Sequence, residues 1–287
     1  MLVGARGLVL GTIALVGLWA AWELGLDPRD LIPGSGGLAL AGELFSRAFS
    51  PAWTYESAVP EGTVPLPLKA LEAARVTVML AAAALGLSVV VGLFLGLAAS
   101  TATWVGSAHG GRCAWGRCLN VTSPAIYGVS RVFIALLRSV HELIWAVLFL
   151  AAFGVGQFSA VLAIAIPYSG TLAKVFSEML DEAPRDAAEA LRSAGASPAQ
   201  IFLFGLLPQA LPDMTAYAFY RFECALRSSA VLGFFGYPTL GYYLAASFEN
   251  LHYGEVWTYL YTLLGLVLLA DAWSGALRRR LVPGGVR

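Results

Sequence analysis

Among the ionisable and hydroxyl-bearing side chains inside apolar stretches of this chain are Glu142, Arg221, Glu223, Arg227, Ser228 and Ser229. Charge inside a membrane span costs at least about 2.5 kcal/mol, so such groups face one another or a wet path. Glu223 and Arg227 stand at i and i+4, which permits an ion pair along one helical face. Arg221 lies on another side and is expected to pair with Glu142. Two readings stay open: a weakly electropositive path in which Arg227, with Ser228 and Ser229, passes an oxyanion, or mutual neutralisation that locks helices together.

Covalent chemistry finds no support. His141-Glu142-Leu143-Ile144-Trp145 begins like a zinc-protease helix, but Trp145 stands where the second histidine belongs. No Gly-x-Ser-x-Gly elbow occurs. Lys69 and Lys174 are the only lysines, and neither lies in a phosphate-cradling glycine loop. His109, Cys113 and Cys118 lack a plausible fourth ligand, so no metal site is expected. With three cysteines a disulfide framework is excluded.

The elements that carry these groups are built for lipid. Hydrophobic residues make up 58% of the chain and charged residues 13%, with a mean hydropathy of +0.72, where a soluble domain has about a quarter charged. Basic and acidic residues number 18 each, which gives no reason to expect nucleic acid. Six spans are expected, at about 7–24, 71–100, 126–153, 159–180, 207–232 and 256–277, each near the 20 or so residues that cross a bilayer. The first could be a cleaved signal peptide; bulky Leu18-Trp19-Ala20-Ala21-Trp22 at the cleavage position favours a retained anchor. Residues 26–70 are acidic and proline-rich and read as an external loop with a short surface helix near Leu38 to Phe49. Basic residues on short loops mark the cytoplasmic side. This places Arg6, the 101–125 loop, the polar passage 183–208 and Arg278-Arg279-Arg280 in the cytoplasm, with both termini.

The polar passage has the chemistry of a helix-turn-helix. Pro184 suits a first turn, Arg192 a last turn, and Gly195 the left-handed position that closes a helix. Ser197 and Pro198 can start a second helix. Downstream, Gly233, Gly236, Tyr237, Pro238 and Gly241 suggest a backbone that turns back at the outer face and could act as a gate.

Glu189-Ala190-Leu191, Gly195 and then Leu207-Pro208 resemble the EAA motif of permeases of ATP-binding-cassette (ABC) importers, in which Glu-Ala-Ala is followed by Gly and a distal Leu-Pro. The resemblance implies an all-α membrane fold of the type I importer kind, with 1–25 as anchor, 26–70 external, 71–280 as the transport body, 181–206 as the coupling loop and 281–287 as a tail. It also implies a projecting knob, including Asp186, Ala187, Glu189, Ala190, Leu191 and Gly195, that docks in a cleft of a cytoplasmic ATPase, with Ala187, Ala188, Leu191 and Ala194 as its small apolar contacts. Arg221 to Gly233, Arg138, Glu142-Leu143, Trp145 and Gly170 to Lys174 are similar to the phosphonate branch. The Gly-rich stretch of relatives is here Gly236-Tyr237-Pro238-Thr239-Leu240-Gly241, which departs from their pattern.

The implied partners are a second permease, identical or paralogous, two ATPases that hold ATP and Mg, a periplasmic or extracellular binding protein, and lipid of the bacterial inner membrane. The chain itself is expected to bind no cofactor. Alternatives are a permease for another small solute, a structural membrane subunit or an intramembrane enzyme.

Overall fold

The computed structural model describes residues 5–26, 34–102 and 114–281, and within these it contains helices and no strand. Residues 1–50 and 51–287 form two units. The first holds α1 (Ala5–Glu23) and α2 (Ser35–Ser46), the latter followed by a 3-10 turn (Arg47–Phe49).

The second unit is built around α3 (Leu66–Ala99) and α6 (Gln157–Glu182), whose contact is the most extensive in the chain. Both are apolar and long enough to cross a membrane, as is α11 (Tyr253–Leu281) over Tyr253–Leu277. Lipid tails are as apolar as leucine, so helices here gain from close packing rather than from leaving water. On α3, Ala81, Ala84, Ser88, Gly92 and Gly96 recur at three- and four-residue spacing along one buried face. A methyl at Gly92 would come within 2.8 Å of Leu172 Cβ, and one at Gly96 within 3.0 Å of the Ala173 carbonyl. These glycines let α3 and α6 touch backbone to backbone.

The expected third span is not one straight helix. It is α4 (Ala114–Ser139) followed by α5 (Glu142–Phe153), bent by 84° between them. His141 caps α5, its Nδ1 accepting from the Leu143 amide at 3.3 Å. α4 also starts earlier than expected, since 114–125 are helical rather than loop. Gly170 positions the bend: a methyl there would meet Leu137 Cβ at 2.8 Å and the Arg138 amide at 3.3 Å, so the last turn of α4 lies against the middle of α6.

The fifth expected span is α9 (Leu207–Val231), which has the length of a span but carries Asp213, Arg221, Glu223 and Arg227. A 3-10 turn (Leu232–Phe235) and α10 (Leu240–Glu249) then fold back toward α11. Beside α10, Lys69 Nζ lies 5.4 Å from the Tyr55 ring centre and 4.8 Å from that of Tyr243. Burial, with help from the Glu255 carboxylate, raises the Tyr55 hydroxyl above its ordinary pKa. Glu255, itself buried, accepts from the Glu56 amide at 2.9 Å and from Ser247 at 3.0 Å, tying 51–65 to the first turn of α11.

Candidate functional site

The polar passage folds as a short knob. α7 (Asp186–Ser193) carries Asp186 and Glu189 in its first turn and Arg192 in its last, each on the favourable side of the helix dipole. Gly195, at φ +80°, closes it: the Ala196 amide donates to the Leu191 carbonyl and the Gly195 amide to that of Arg192, both at 3.0 Å. This is the paired bonding of a Schellman end, which needs a left-handed residue at that position. Ser197 then opens α8 (Pro198–Gln200) with a reciprocal cap, the Ser197 amide donating to Gln200 Oε1 at 2.8 Å and the Gln200 amide to Ser197 Oγ at 3.4 Å.

A wide π turn (Ile201–Leu206) joins α8 to α9 just before Leu207-Pro208. Pro208 has no amide hydrogen, and in regular α-helix its ring would crowd the carbonyl four residues back; a wider turn relieves both demands. The exposed rim of the knob includes Asp186, Glu189, Ala190, Arg192, Ala194, Gly195 and Pro208. Ala188 faces the other way. It is buried against the π turn, where a methyl on Gly205 would lie 3.2 Å from Ala188 Cα and 3.3 Å from Leu191 Cδ1. Ala187 and Leu191 are half-buried. Ala188, and Leu191 in part, therefore fix the knob to its own chain instead of offering apolar contacts outward. Beside it an open cleft of about 560 Å³ is lined by Glu182, Pro184, Gln209, Asp213, Tyr217 and Tyr220, among others.

Ahead of the knob, Asp181 gathers three spans. Its Oδ1 accepts from Ser100 Oγ at 2.7 Å, Thr101 Oγ1 at 2.9 Å and the Ala102 amide at 3.0 Å, while Arg131 of α4 lies 3.7 Å from Oδ2. The end of α3, α4 and α6 thus share one carboxylate. The sequence reading missed it because Ser-Thr after α3 and an aspartate near the end of α6 signal nothing until the helices pack.

Within the spans, the expected pairs are partly replaced. Arg221 does not reach Glu142: its guanidinium donates to Tyr217 Oη at 2.8 and 3.0 Å and lies over the rings of Tyr217, Tyr168 and Tyr220 at 5.3 to 6.0 Å. Arg227 Nε donates to the Glu223 backbone carbonyl at 3.4 Å, and Nη2 approaches Cys224 Sγ at 3.8 Å. Glu223 is buried. Ser229 is fully buried against α3, its hydroxyl within hydrogen-bonding reach of the Leu226 and Thr77 carbonyls at 2.9 and 3.1 Å, so it is a packing residue and lines no wet surface.

Ser228 makes the contact that sequence spacing could not show. Its hydroxyl donates to Glu142 Oε1 at 2.9 Å and lies 3.0 Å from Tyr168 Oη. Ser228 has a single proton, so Tyr168 is the donor in the second bond and the chain runs Tyr168 to Ser228 to Glu142. The other carboxylate oxygen lies 3.5 Å from His141 Nε2. Lys174 pairs along its own helix with Glu178.

The turn after α9 is held by packing. Gly236 takes φ +90°. A methyl at Gly233 would fall on the backbone of Gly241 and Tyr242, and one at Gly241 on the Ala230 carbonyl. Tyr237 is buried with its hydroxyl donating to Ser159 Oγ at 3.1 Å, and the Leu240 amide donates to Thr77 Oγ1 at 3.1 Å. Pro238 is exposed between these anchors.

Among the described residues no three His, Cys, Asp or Glu side chains are grouped to hold a metal. His109 and Cys113 lie outside the described residues, as does the side chain of Cys118.

Residues 110–283 match the family described as "Binding-protein-dependent transport system inner membrane component". The phosphite transport system permease protein PtxC of Stutzerimonas stutzeri is 40% identical over 54% of this chain and 57% of its own length. The phosphate-import permease protein PhnE of Mycolicibacterium smegmatis is 33% identical over 55% of this chain and 30% of its own. The chain thus spans little more than half of the first relative and less of the second. The fold is that of a chain in the crystal structure of an amino acid ABC transporter, with a TM-score of 0.58 at 19% identity over 74% of this chain and 94% of that one. The family match takes in α4 through α11, more than half of the sequence, and the chain belongs to the binding-protein-dependent transport system inner membrane component family.

Proposed function

We propose that this multi-pass inner-membrane protein is the permease subunit of an ATP-driven importer for a small phosphorus oxyanion: phosphite, a phosphonate or a phosphate ester. The observation that carries the reading is the knob at Asp186–Gly195 in a chain whose relatives are named for phosphite and phosphate transport. An exposed helix locked by a Schellman end at one side and a capping box at the other can transmit a push. Its exposed Asp186, Glu189 and Ala190 would meet a cytoplasmic ATPase, and Leu207-Pro208 would pass the movement into α9.

In this reading 71–280 forms the transport body, 1–25 an anchor, 26–70 the external segment, and both termini are cytoplasmic. Two permeases would enclose the path, with two ATPases holding ATP and Mg on one side and a substrate-binding protein on the other. Gly233 to Gly241 would close the outer end, and Glu142, Arg227 and Ser228 would lie along the path. Neither Lys69 nor Lys174 lies in a phosphate-cradling glycine loop, so ATP hydrolysis would fall to the partner. Carriage of another small solute is the second reading, favoured by a fold neighbour that is an amino acid transporter.

The test is uptake of phosphite, methylphosphonate and phosphate by cells with and without the chain. Loss of uptake of at least one of them on deletion, restored by the intact chain, is expected. Unchanged uptake of all three would contradict the substrate assignment.

A further inference from the structure

We propose that the bend between α4 and α5 is a transit site for the oxyanion halfway across the membrane, with Arg138 as its cationic contact and the Glu142–Ser228–Tyr168 chain beside it. The inference rests on the transport reading above and goes beyond it in naming the residue and the depth.

Depth comes from packing. The Arg138 backbone abuts Gly170, which at helical rise is about 20 Å from one end of α6 and about 18 Å from the other. The bend is therefore central whichever face of the membrane is cytoplasmic.

Partners separate Arg138 from the other arginines of α4 and α9 within the spans. Arg131 has Asp181 and the Tyr127 ring, Arg221 has its three tyrosines, and Arg227 bonds to its own helix. Arg138 is exposed, and among the described residues no carboxylate, hydrogen-bond acceptor or ring engages its guanidinium. Among the described residues Arg75 also lacks such a partner, but it lies in the first third of the long helix α3, close enough to its end for the side chain to reach the interface. A guanidinium at mid-membrane cannot be left in lipid, so Arg138 faces water or protein. Ser139 and His141 are exposed on the same stretch and Glu142 is half-buried, whereas the flanking exposed residues, Val132, Phe133, Leu136, Ile144, Val147 and Leu148, are apolar. A polar island interrupts a lipid-like surface.

Its chemistry suits a singly protonated oxyanion. The planar guanidinium donates to two oxygens at once. Glu142 Oε1 is engaged by Ser228, while Oε2 faces the exposed His141 and retains capacity to accept a P–OH. A carboxylate four residues along the chain, on the far side of the bend, would also keep the anion from binding too tightly to leave, which conduction requires.

The test uses the whole complex, with its ATPase and binding protein, in proteoliposomes. With Arg138→Gln, phosphite uptake should fall about tenfold or more, as expected for loss of a charge-assisted contact. Assembly and binding-protein-stimulated ATP hydrolysis should stay near wild type, and Arg138→Lys should recover part of the uptake. Unchanged uptake in Arg138→Gln would overturn the site. So would loss of assembly and ATP hydrolysis in proportion to uptake, which marks a packing contact with a partner subunit. A second measurement needs no substrate: Arg138→Cys, in a chain with its native cysteines replaced by serine, should react with a water-borne methanethiosulfonate reagent. No reaction in the assembled complex would overturn the wet site. A wild-type complex that imports no phosphorus oxyanion while Arg138→Cys still reacts would overturn the substrate assignment and leave the wet bend standing.

Discussion

Gly195 shows how much a single backbone angle can carry in this chain. At φ +80° an L side chain pays about 1–2 kcal/mol, so Gly195→Val should loosen the end of α7 and raise hydrogen exchange at the Gly195 and Ala196 amides. Ser197→Ala should remove one half of the neighbouring cap at a cost of about 1 kcal/mol, read as faster exchange at the Gln200 amide. Both positions were legible in the sequence, because helix ends are signalled by residue type within a few positions. Ala188 was not. An alanine on a short amphipathic helix looks equally suited to a partner or to its own chain, and only the close approach of Gly205 decides between them. The same limit applies to Arg221, whose tyrosine partners at 168, 217 and 220 hold it in place of the expected carboxylate. Long side chains choose partners after the helices have been placed.

At the scale of elements, packing in lipid depends on where small residues fall. Gly92→Ala should force α3 from α6 and cost about 1–3 kcal/mol by overpacking, seen as a lower midpoint of thermal unfolding in detergent. Gly86→Ala on the same helix meets nothing within 4 Å and should be neutral or stabilising by up to about 1 kcal/mol through helix propensity. Equal losses in the two variants would contradict the interface. Hydropathy indicated α3, α6 and α11 well, since long uniform apolar runs have few alternatives. It did not show the bend. Residues 126–153 are apolar on average and have no proline near 140, and the break at Val140-His141 follows from His141 capping the next helix and from α4 meeting Gly170. α9 shows the converse: Asp213, Arg221, Glu223 and Arg227 lower its hydropathy, and of these only Glu223 is buried.

At the scale of the whole molecule, one chain presents large apolar surfaces suited to lipid together with exposed polar features, the rim of α7 and the polar island around Arg138. Family membership was legible from Glu189, Gly195 and Leu207-Pro208 at their spacing, whereas the contacts that join the spans, such as Asp181 linking α3, α4 and α6, appear only in the fold. The most direct measurement is purification of the tagged chain from its native membrane in mild detergent, with mass spectrometry of stoichiometric partners. An ABC ATPase should be recovered with the wild-type chain and be depleted about tenfold when Glu189→Lys and Gly195→Val are combined, a loss corresponding to about 1.4 kcal/mol of docking energy. Recovery of the folded chain without an ATPase, or with the same amount from wild type and variant, would contradict the assignment of α7 as the coupling element.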